Sequence, residues 1–313
     1  MILTFAGGVG GAKLAHGLSL CLAPAELMIA VNTGDDFEHL GLHVSPDIDT
    51  VMYTLGGCAD RERGWGRSGE TWNFMEALER LGGETWFKLG DRDIATHVER
   101  TRRLRNGEML SAVTADFAEK LGVRHAIAPM SDAPVRTRVH TDEGDLDFQD
   151  YFVRRACKPR VRAVEYFGAR DAAPAGPLNR AMSSPDLRGI VICPSNPLLS
   201  IAPILAVAGL RDWLSRRKVP AIAVSPLING AAIKGPAAKI LRETGMGANC
   251  SSIAQFYCGL IDGLIVDPGD VAGTRPPEGM QILSADILMR DDADRKRLAQ
   301  VALDFISRLK SRR

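Results

Sequence analysis

Two short segments near the N-terminus contain aspartates in a pattern that suits a hard divalent cation. Asp35 and Asp36 end the first segment, and Asp47 and Asp49 stand two positions apart in the second. Carboxylate oxygens are the ligands that Mg²⁺ prefers in proteins, and the ion can bridge carboxylates to phosphoryl groups. The pattern therefore predicts a magnesium site, in which a carboxylate left free of the metal could accept the proton of an attacking hydroxyl.

Each of these aspartates also has a purely structural explanation. Asp47 can cap the helix predicted around residues 51–55, and Asp36 can shape a turn. A Rossmann dehydrogenase likewise carries an acid at the end of its second strand, where the acid holds a ribose, so Asp35 alone does not separate the two functions. Because both segments carry aspartates, we favour a metal site over these structural explanations.

A glycine-rich loop follows the first predicted strand, residues 2–6, and precedes a helical pattern of leucines. Glycines let backbone N–H groups approach an anion closely, and the following helix presents its unpaired N–H groups and the positive end of its dipole. The order of strand, glycines and helix therefore predicts a phosphate-binding loop. The residues that we assign to it are Gly7, Gly8, Gly10, Gly11 and Lys13.

The loop fits neither of two familiar nucleotide-binding motifs. A Walker loop requires serine or threonine directly after its lysine, whereas Leu14 follows Lys13. A dinucleotide-binding motif that began at Gly8 would place its third glycine at the position of Lys13. Lys13 can instead contact a phosphate as a point charge.

Two further polar turns contribute candidate residues. Asp91 and Arg92 precede a helical pattern, and the guanidinium could neutralise charge on a transferred phosphoryl group, but a helix cap with an ion pair explains both residues equally well. Ser195 and Asn196 follow a very apolar predicted strand, and they can hydrogen-bond to a nucleotide or cap the next helix. We favour a binding function for this second turn.

Composition excludes several classes of function. The chain has 313 residues and a formal net charge of +1, which indicates neither nucleic acid nor an anionic membrane as the main partner. Its six cysteines contain no CxxC pair and predict neither a zinc site nor disulfides, which fits a reducing cytoplasm. No signal-peptide pattern or membrane-spanning apolar run is present in the sequence. We therefore expect a cytoplasmic protein.

Apolar runs of strand length alternate with helical patterns, which is typical of an α/β protein. Several runs are apolar on both faces, as expected for parallel strands that helices cover on both sides. We predict a Rossmann-like, mostly parallel sheet with helices on both faces, built from residues 1–60 and 186–313. The last predicted helix covers 286–309, and a basic tail follows at 310–313.

The middle of the chain, residues 61–185, is predicted to form a smaller region of two parts. Three helical patterns between residues 70 and 121 indicate a helical lid at the sheet edge. Short strands separated by turns indicate an antiparallel β insertion. Its strands are predicted at 136–140, 146–152 and 161–167.

Taken in order, these motifs strongly resemble the 2-phospho-L-lactate transferases. The resemblance spans most of the chain, and several separate motifs at compatible spacing are far more specific than the glycine loop alone. The segments that carry it are 7–13, 32–36, 46–50, 63–66, 89–93, 130–132 and 194–197.

The resemblance implies a role in the biosynthesis of the deazaflavin coenzyme F420. In that family the primary hydroxyl of the ribityl chain of the deazaflavin FO attacks the distal phosphorus of a guanosine diphosphate-linked donor, and GMP leaves. The donor carries lactate, enolpyruvate or glycerate. The family is also implied to have a Rossmann-like core with a smaller domain, and to depend on Mg²⁺.

Roles for individual residues are implied by their positions in the matching motifs. Asp35 and Asp49 are implied to bind the metal, with Asp47 beside them. The residues assigned to catalysis are Asp35, Asp47, Asp49 and Arg92. The residues assigned to substrate binding are Gly7, Gly8, Gly10, Gly11, Lys13, Asp36, Asp91, Ser195 and Asn196.

Two other classes of protein remain as alternatives. Nucleotide-sugar-binding regulators share a glycine loop, a double acid after the second strand and a serine-containing turn, but the segments at 63–66 and 89–93 and the antiparallel insertion argue for the transferase. A nicotinamide dehydrogenase is disfavoured by Lys13. The sequence specifies neither the three-carbon acid nor the oligomeric state, for which a homodimer is one possibility.

Overall fold

A computed structural model describes residues 1–232 and 237–309 of the chain, and the predicted basic tail at 310–313 lies outside the described residues. The strands are, in chain order, β1 Ile2–Ala6, β2 Leu27–Val31, β3 Phe37–His39, β4 Leu42–Val44, β5 Ala126–Pro129, β6 Arg136–Thr141, β7 Gly144–Asp147, β8 Val161–Phe167, β9 Gly189–Ile192, β10 Ala221–Val224, β11 Leu227–Ile228, β12 Ala231–Ala232, β13 Gly263–Val266 and β14 Gln281–Ser284. The α-helices are α1 Gly8–Cys21, α2 Pro46–Leu55, α3 Asn73–Arg80, α4 Asp91–Arg105, α5 Leu110–Lys120, α6 Gly176–Met182, α7 Ala202–Ala206, α8 Leu210–Arg216, α9 Ala237–Glu243, α10 Cys250–Phe256 and α11 Asp292–Arg308.

The described residues contain a seven-stranded parallel sheet in the order β14-β13-β10-β9-β1-β2-β5, which confirms the predicted Rossmann-like core. Strand β1 pairs with β2 on one side and with β9 on the other. The chain builds the sheet outward from β1 to β5 in one direction and from β9 to β14 in the other. The strand order therefore reverses between β1 and β9, and in open α/β sheets ligands bind beyond the carboxyl ends of the strands at such a point.

Helices cover both faces of this sheet because its strands are apolar on both sides. On one face the core includes Leu14 of α1, Val51 of α2 and Leu298 of α11. On the other face it includes Ile204 of α7 and Ile253 of α10. The two layers fix the ends of β1, β2 and β9, which carry the candidate site residues.

The middle region agrees with the prediction in part. The antiparallel sheet has the strand order β7-β6-β8, and α3, α4 and α5 match the three helical patterns. The strand predicted at 146–152 is wrong beyond Asp147, because residues 150–154 form a turn of π-helix that buries Tyr151. Residues 126–129, which lie within the predicted smaller region at 61–185, form edge strand β5 of the main sheet.

Among the described residues, no single helix is both long and apolar enough to cross a bilayer, and one pair, 197–206 with 210–216, meets the criteria only when joined across a bend of 90°.

Candidate active site

The glycine loop joins β1 to α1 at the point where the strand order reverses. Gly7 is the N-cap of α1, and Gly8 has a φ of +63°, which favours glycine because it has no Cβ. The Gly7 N–H donates to Ser195 Oγ at 3.1 Å, and the same hydroxyl donates to the Gly7 carbonyl at 2.8 Å. Ser195 thus locks the loop after β1 to the turn after β9.

The loop contains glycines at 10 and 11 because the turn after β9 approaches them closely. A Cβ on Gly11 would lie 2.6 Å from Ser195 Oγ, and a Cβ on Gly10 would overlap the backbone carbonyl oxygen of Pro194. The absence of side chains thus lets the first turn of α1 lie directly against the turn after β9, and phosphate binding by this loop stays a prediction.

We expect Gly10→Ala to lower the free energy of unfolding by about 2 kcal/mol, because the backbone carbonyl of Pro194 cannot turn away as a flexible side chain would. Urea denaturation measures the change. Gly176→Ala in α6 is the matched control, since its Cβ would meet only the end of the Arg180 side chain at 3.5 Å. Equal stability of the two variants would show that the loop can move to accept a side chain.

Asp35 and Asp47 form a buried pair beside the glycine loop. Asp35 lies in the turn after β2, and Asp47 lies in the first turn of α2. Asn32 donates from Nδ2 to Asp35 Oδ1 at 3.1 Å and to Asp47 Oδ2 at 2.9 Å. The Gly8 N–H donates to Asp47 Oδ1 at 2.7 Å, so this carboxylate also holds the glycine loop.

Burial and nearby negative charge make both carboxylates hard to ionise. Desolvation, followed by the charge of Asp47, raises the pKa of Asp35 well above its ordinary value. Desolvation likewise raises the pKa of Asp47 to about 6, although the Asn32 and Gly8 hydrogen bonds act in the opposite direction. Asp35 and Asp47 are thus two buried carboxylates with raised pKa values, and a bound divalent cation would stabilise their ionised forms.

The other two predicted acids face different partners. Asp36 accepts a hydrogen bond from Ser45 Oγ at 2.9 Å and lies 3.1 Å from His43 Nε2. Asp49 forms a two-pronged ion pair with the fully buried Arg100 of α4. Neither Asp36 nor Asp49 lines the cavity described below.

The helical geometry of α2 explains why Asp47 and Asp49 separate. Residues two apart in an α-helix point about 200° away from each other, so Asp47 faces the glycine loop and Asp49 faces α4. In this structure Asp49 does not line the cavity beside Asp35, and its assignment as a metal ligand stays a prediction. A second group of ligand type forms instead around Asp49, where Asp93 and His97 bring their atoms within 4.8 Å of one another and of the Asp49 carboxylate.

Asp91 and Arg92 serve the packing of the lid in this structure. Asp91 accepts hydrogen bonds from Thr71 Oγ1 at 2.5 Å and from the Phe74 N–H at 3.1 Å, and it thereby fixes the start of α3. Arg92 donates to the Ser68 carbonyl at 3.2 Å. Neither residue lines the cavity, so their assigned substrate and catalytic roles stay predictions without a contact to support them.

A cavity of about 690 Å³ opens over the glycine loop and the Asp35–Asp47 pair. Its side at the sheet edge is polar, and its other side consists of segments from the smaller region. Polar-side residues are Gly7, Gly8, Gly10, Lys13, Asp35, Asp47, Ser195, Asn196 and Ser200. Aromatic residues of the other side are Trp65, Trp86, Phe87, Phe148 and Phe152.

The aromatic side is held together by contacts that the sequence did not reveal. Phe148 and Phe152 stack with ring centroids 5.3 Å apart. Arg154 lies over the Trp86 ring at 5.2 Å and forms an ion pair with Glu84 at 2.9 Å, so the segments at 84–88 and 148–154 are joined. We did not predict Trp86 and Phe148 as site residues, because isolated aromatics have no periodicity that separates a binding wall from a core.

Fold and cavity together define an α/β protein that presents a glycine loop and paired carboxylates at the reversal point of a parallel sheet, an arrangement suited to phosphorylated ligands. Comparison with known families gives a more specific result. The chain belongs to the family described as 2-phospho-L-lactate transferase CofD, whose model matches residues 2–306. The resemblance drawn from the motifs, and the transferase activity that it implied in F420 biosynthesis, are thereby confirmed.

Curated relatives match the chain over nearly its whole length. The phosphoenolpyruvate transferase of Streptomyces griseus is 38% identical and aligns over 99% of each chain, and that of Streptomyces coelicolor is 41% identical over 94% of this chain and 93% of the relative. The 2-phospho-L-lactate transferase of Methanosarcina mazei is 36% identical over 96% of this chain and 99% of the relative. A solved structure of a UPF0052 family protein from Bacillus halodurans has a TM-score of 0.60 at 14% identity, with 96% of this chain and 98% of that chain covered, which shows a shared fold.

Proposed function

We propose that the protein transfers a phosphorylated three-carbon acid from a guanosine diphosphate-linked donor to the ribityl hydroxyl of FO and releases GMP, with Mg²⁺ bound at the Asp35–Asp47 pair. The observation that carries the proposal is the position of this buried pair. It lies against the glycine loop, inside a cavity of about 690 Å³, at the reversal point of the sheet.

The two sides of the cavity suit the two chemically different substrates. Backbone amides in the first turn of α1 and the Lys13 side chain suit the phosphates of the donor. Lys13 Nζ donates to the Met289 carbonyl at 2.7 Å, which holds its charge at the cavity wall. The aromatic side suits the flat ring system of a deazaflavin, because aromatic rings stack on one another with ring centroids about 4.5–7 Å apart.

The donor set fits a magnesium ion. Asp35 and Asp47 offer carboxylate oxygens only, and both carboxylates are buried with pKa values raised by desolvation. A bound Mg²⁺ would neutralise their charge and polarise the phosphoryl oxygens of the donor. Asp49 is the alternative second ligand, and it would have to release Arg100 first.

The residues of the chain then have three tasks. The glycine-loop amides hold the diphosphate, and the aromatic side positions the acceptor hydroxyl in line with the distal phosphorus. A carboxylate oxygen of the Asp35–Asp47 pair that is left free of the cation accepts the hydroxyl proton as the new P–O bond forms. The bond between the distal phosphorus and the bridging oxygen breaks, and GMP leaves with that oxygen. No covalent intermediate with the protein is required.

The test is incubation with FO, Mg²⁺ and each of three guanosine donors, which carry lactate, enolpyruvate or glycerate, with detection of products by mass. We expect one FO derivative that contains a phosphodiester, together with GMP. Binding of a guanosine ligand without any product would instead favour a regulator, and binding of NADH alone would favour a dehydrogenase.

We expect Lys88→Met to raise the KM for the donor by about 30-fold, or about 2 kcal/mol. Of the described cavity-lining residues, Lys13, Arg63 and Lys88 are the cations, and Arg63 is already ion-paired with Asp60 at 2.7 Å. Because Lys13 is assigned to the donor phosphates, Lys88 is the cation best placed to bind the carboxylate of the three-carbon acid. Steady-state kinetics on the natural donor and on its uncharged amide measure the effect, which should be present for the acid and small for the amide.

The control for this variant is Lys120→Met, which removes a lysine of α5 that pairs with Asp116 outside the cavity. Its kinetics should match the unmodified protein. An equal rise in KM for the acid and the amide donor would show that Lys88 does not recognise the carboxylate.

A further inference from the structure

Asn32 is a buried amide that links three parts of the candidate active site. It follows β2 directly and is fully buried. Besides its bonds to Asp35 and Asp47, its Nδ2 donates to the Leu199 carbonyl at 3.3 Å, and its Oδ1 accepts from the Gly34 N–H at 2.8 Å. One side chain therefore holds the turn after β2, the start of α2 and the helical turn after β9.

The chemistry of these contacts requires an amide. Asn32 is a neutral group with two N–H donors and one carbonyl acceptor. Aspartate has the same shape but no donors, and it would add a third negative charge to the buried pair. Leucine is similarly branched but larger and apolar, and it would leave both carboxylates without this donor, which is costly in a buried position.

The contacts also fix the orientation of the Asp35 and Asp47 carboxylates. Asn32 binds Asp47 Oδ2, while the other oxygen of Asp47 accepts from the Gly8 N–H. A Cβ on Gly7 would lie 2.6 Å from Asp47 Oδ2, so this carboxylate packs directly against the loop. Rotation of the Asp47 side chain would break both hydrogen bonds, and rotation of Asp35 would break the bond to Asn32.

We propose that Asn32 is a positioning residue that sets the spacing and orientation of the Asp35 and Asp47 carboxylates for the divalent cation. This inference rests on the proposed function, since it assumes a cation at that pair. Groups that orient metal ligands without touching the metal commonly change metal affinity by about 10- to 100-fold when they are replaced.

The experiment measures Mn²⁺ binding by titration calorimetry and by electron paramagnetic resonance for Asn32→Leu and Asn32→Ser, with melting temperatures as a check of folding. We expect the dissociation constant for Mn²⁺ to rise by about 10- to 100-fold in both variants. In kinetics, kcat should fall while the KM for FO stays unchanged, because Asn32 does not line the aromatic side of the cavity. Asn32→Ser keeps a small polar group and provides the measurement if Asn32→Leu does not fold.

Asn249→Ala is the matched control. Asn249 caps α10 by accepting from the Ser252 N–H at 2.9 Å, so the variant should lose about 1 kcal/mol of stability without a change in Mn²⁺ affinity. Mn²⁺ affinity within twofold of the unmodified protein in a folded Asn32 variant would overturn the inference. If the unmodified protein bound no Mn²⁺, or if Asp35→Asn bound it equally well, the proposed magnesium site itself would be wrong.

Discussion

Asp35→Asn is expected to lower turnover by roughly a thousandfold, or about 4 kcal/mol, while the metal-free protein becomes more stable. The variant loses one of the two carboxylates proposed to bind Mg²⁺ and to accept the hydroxyl proton. Its amide oxygen can still accept the hydrogen bond that Asn32 donates to Asp35 Oδ1. The local hydrogen bonding therefore persists, and the repulsion within the buried pair is removed.

The gain in stability should depend on pH in a defined direction. The pKa values of Asp35 and Asp47 are raised on folding, above the ordinary value of 3.8. The folded state consequently holds more protons than the unfolded state, and the pair destabilises the metal-free protein as the pH rises from about 4 through about 6. The difference in melting temperature between Asp35→Asn and the unmodified protein should thus be small near pH 4 and larger at pH 8.

Thermal denaturation at several pH values, with and without Mg²⁺, tests this expectation. Added Mg²⁺ should stabilise the unmodified protein by mass action and have little effect on Asp35→Asn. Asp304→Asn on α11 is a control for the loss of one surface carboxylate. A variant that keeps full turnover with Mg²⁺ present would show that Asp35 is not part of the metal site.

The neighbouring strands and the glycine loop could be predicted from sequence because they depend on local patterns. The run at 2–6 is apolar on both faces and ends at glycines, and this pattern specifies a buried strand that leads into a helix. The order of polar turns then places Asp35 and Ser195 at the same sheet edge, since parallel strands share their carboxyl ends. Strand β14 and the aromatic side of the cavity were missed, because their signals arise from tertiary packing.

The separation of Asp49 from the cavity has a specific cause. Aspartates at alternate positions appear equivalent in a sequence, and on a strand they would share one face. Residues 46–55 form a helix, so Asp47 and Asp49 point in nearly opposite directions. The partner of Asp49 in this structure is Arg100, which is far away in the chain and has no motif that links it to the acid. The magnesium dependence, the homodimer and the cytoplasmic location remain predictions.

The second large effect is expected on stability, when either partner of the buried ion pair between Asp49 and Arg100 is replaced. Both side chains are almost completely buried, and Arg100 also lies 3.3 Å from His97 Nδ1. Removal of one partner leaves a buried charge without its counterion, which typically costs about 3–5 kcal/mol. We therefore expect Asp49→Asn and Arg100→Met each to lower the free energy of unfolding by about 3 kcal/mol, at the lower end of that range.

A double-variant cycle separates this structural role from a role in metal binding. Because replacement of both charges removes the unpaired group, Asp49→Asn combined with Arg100→Met should be less destabilised than the sum of the two single changes, by about 2 kcal/mol. Urea denaturation gives the stabilities, and Mn²⁺ titration of folded Asp49→Asn gives the metal affinity. Additive losses would contradict the ion pair as the source of stability. Loss of Mn²⁺ binding in folded Asp49→Asn would show that Asp49 leaves Arg100 to bind the metal. Unchanged Mn²⁺ binding would assign the metal site to Asp35 and Asp47.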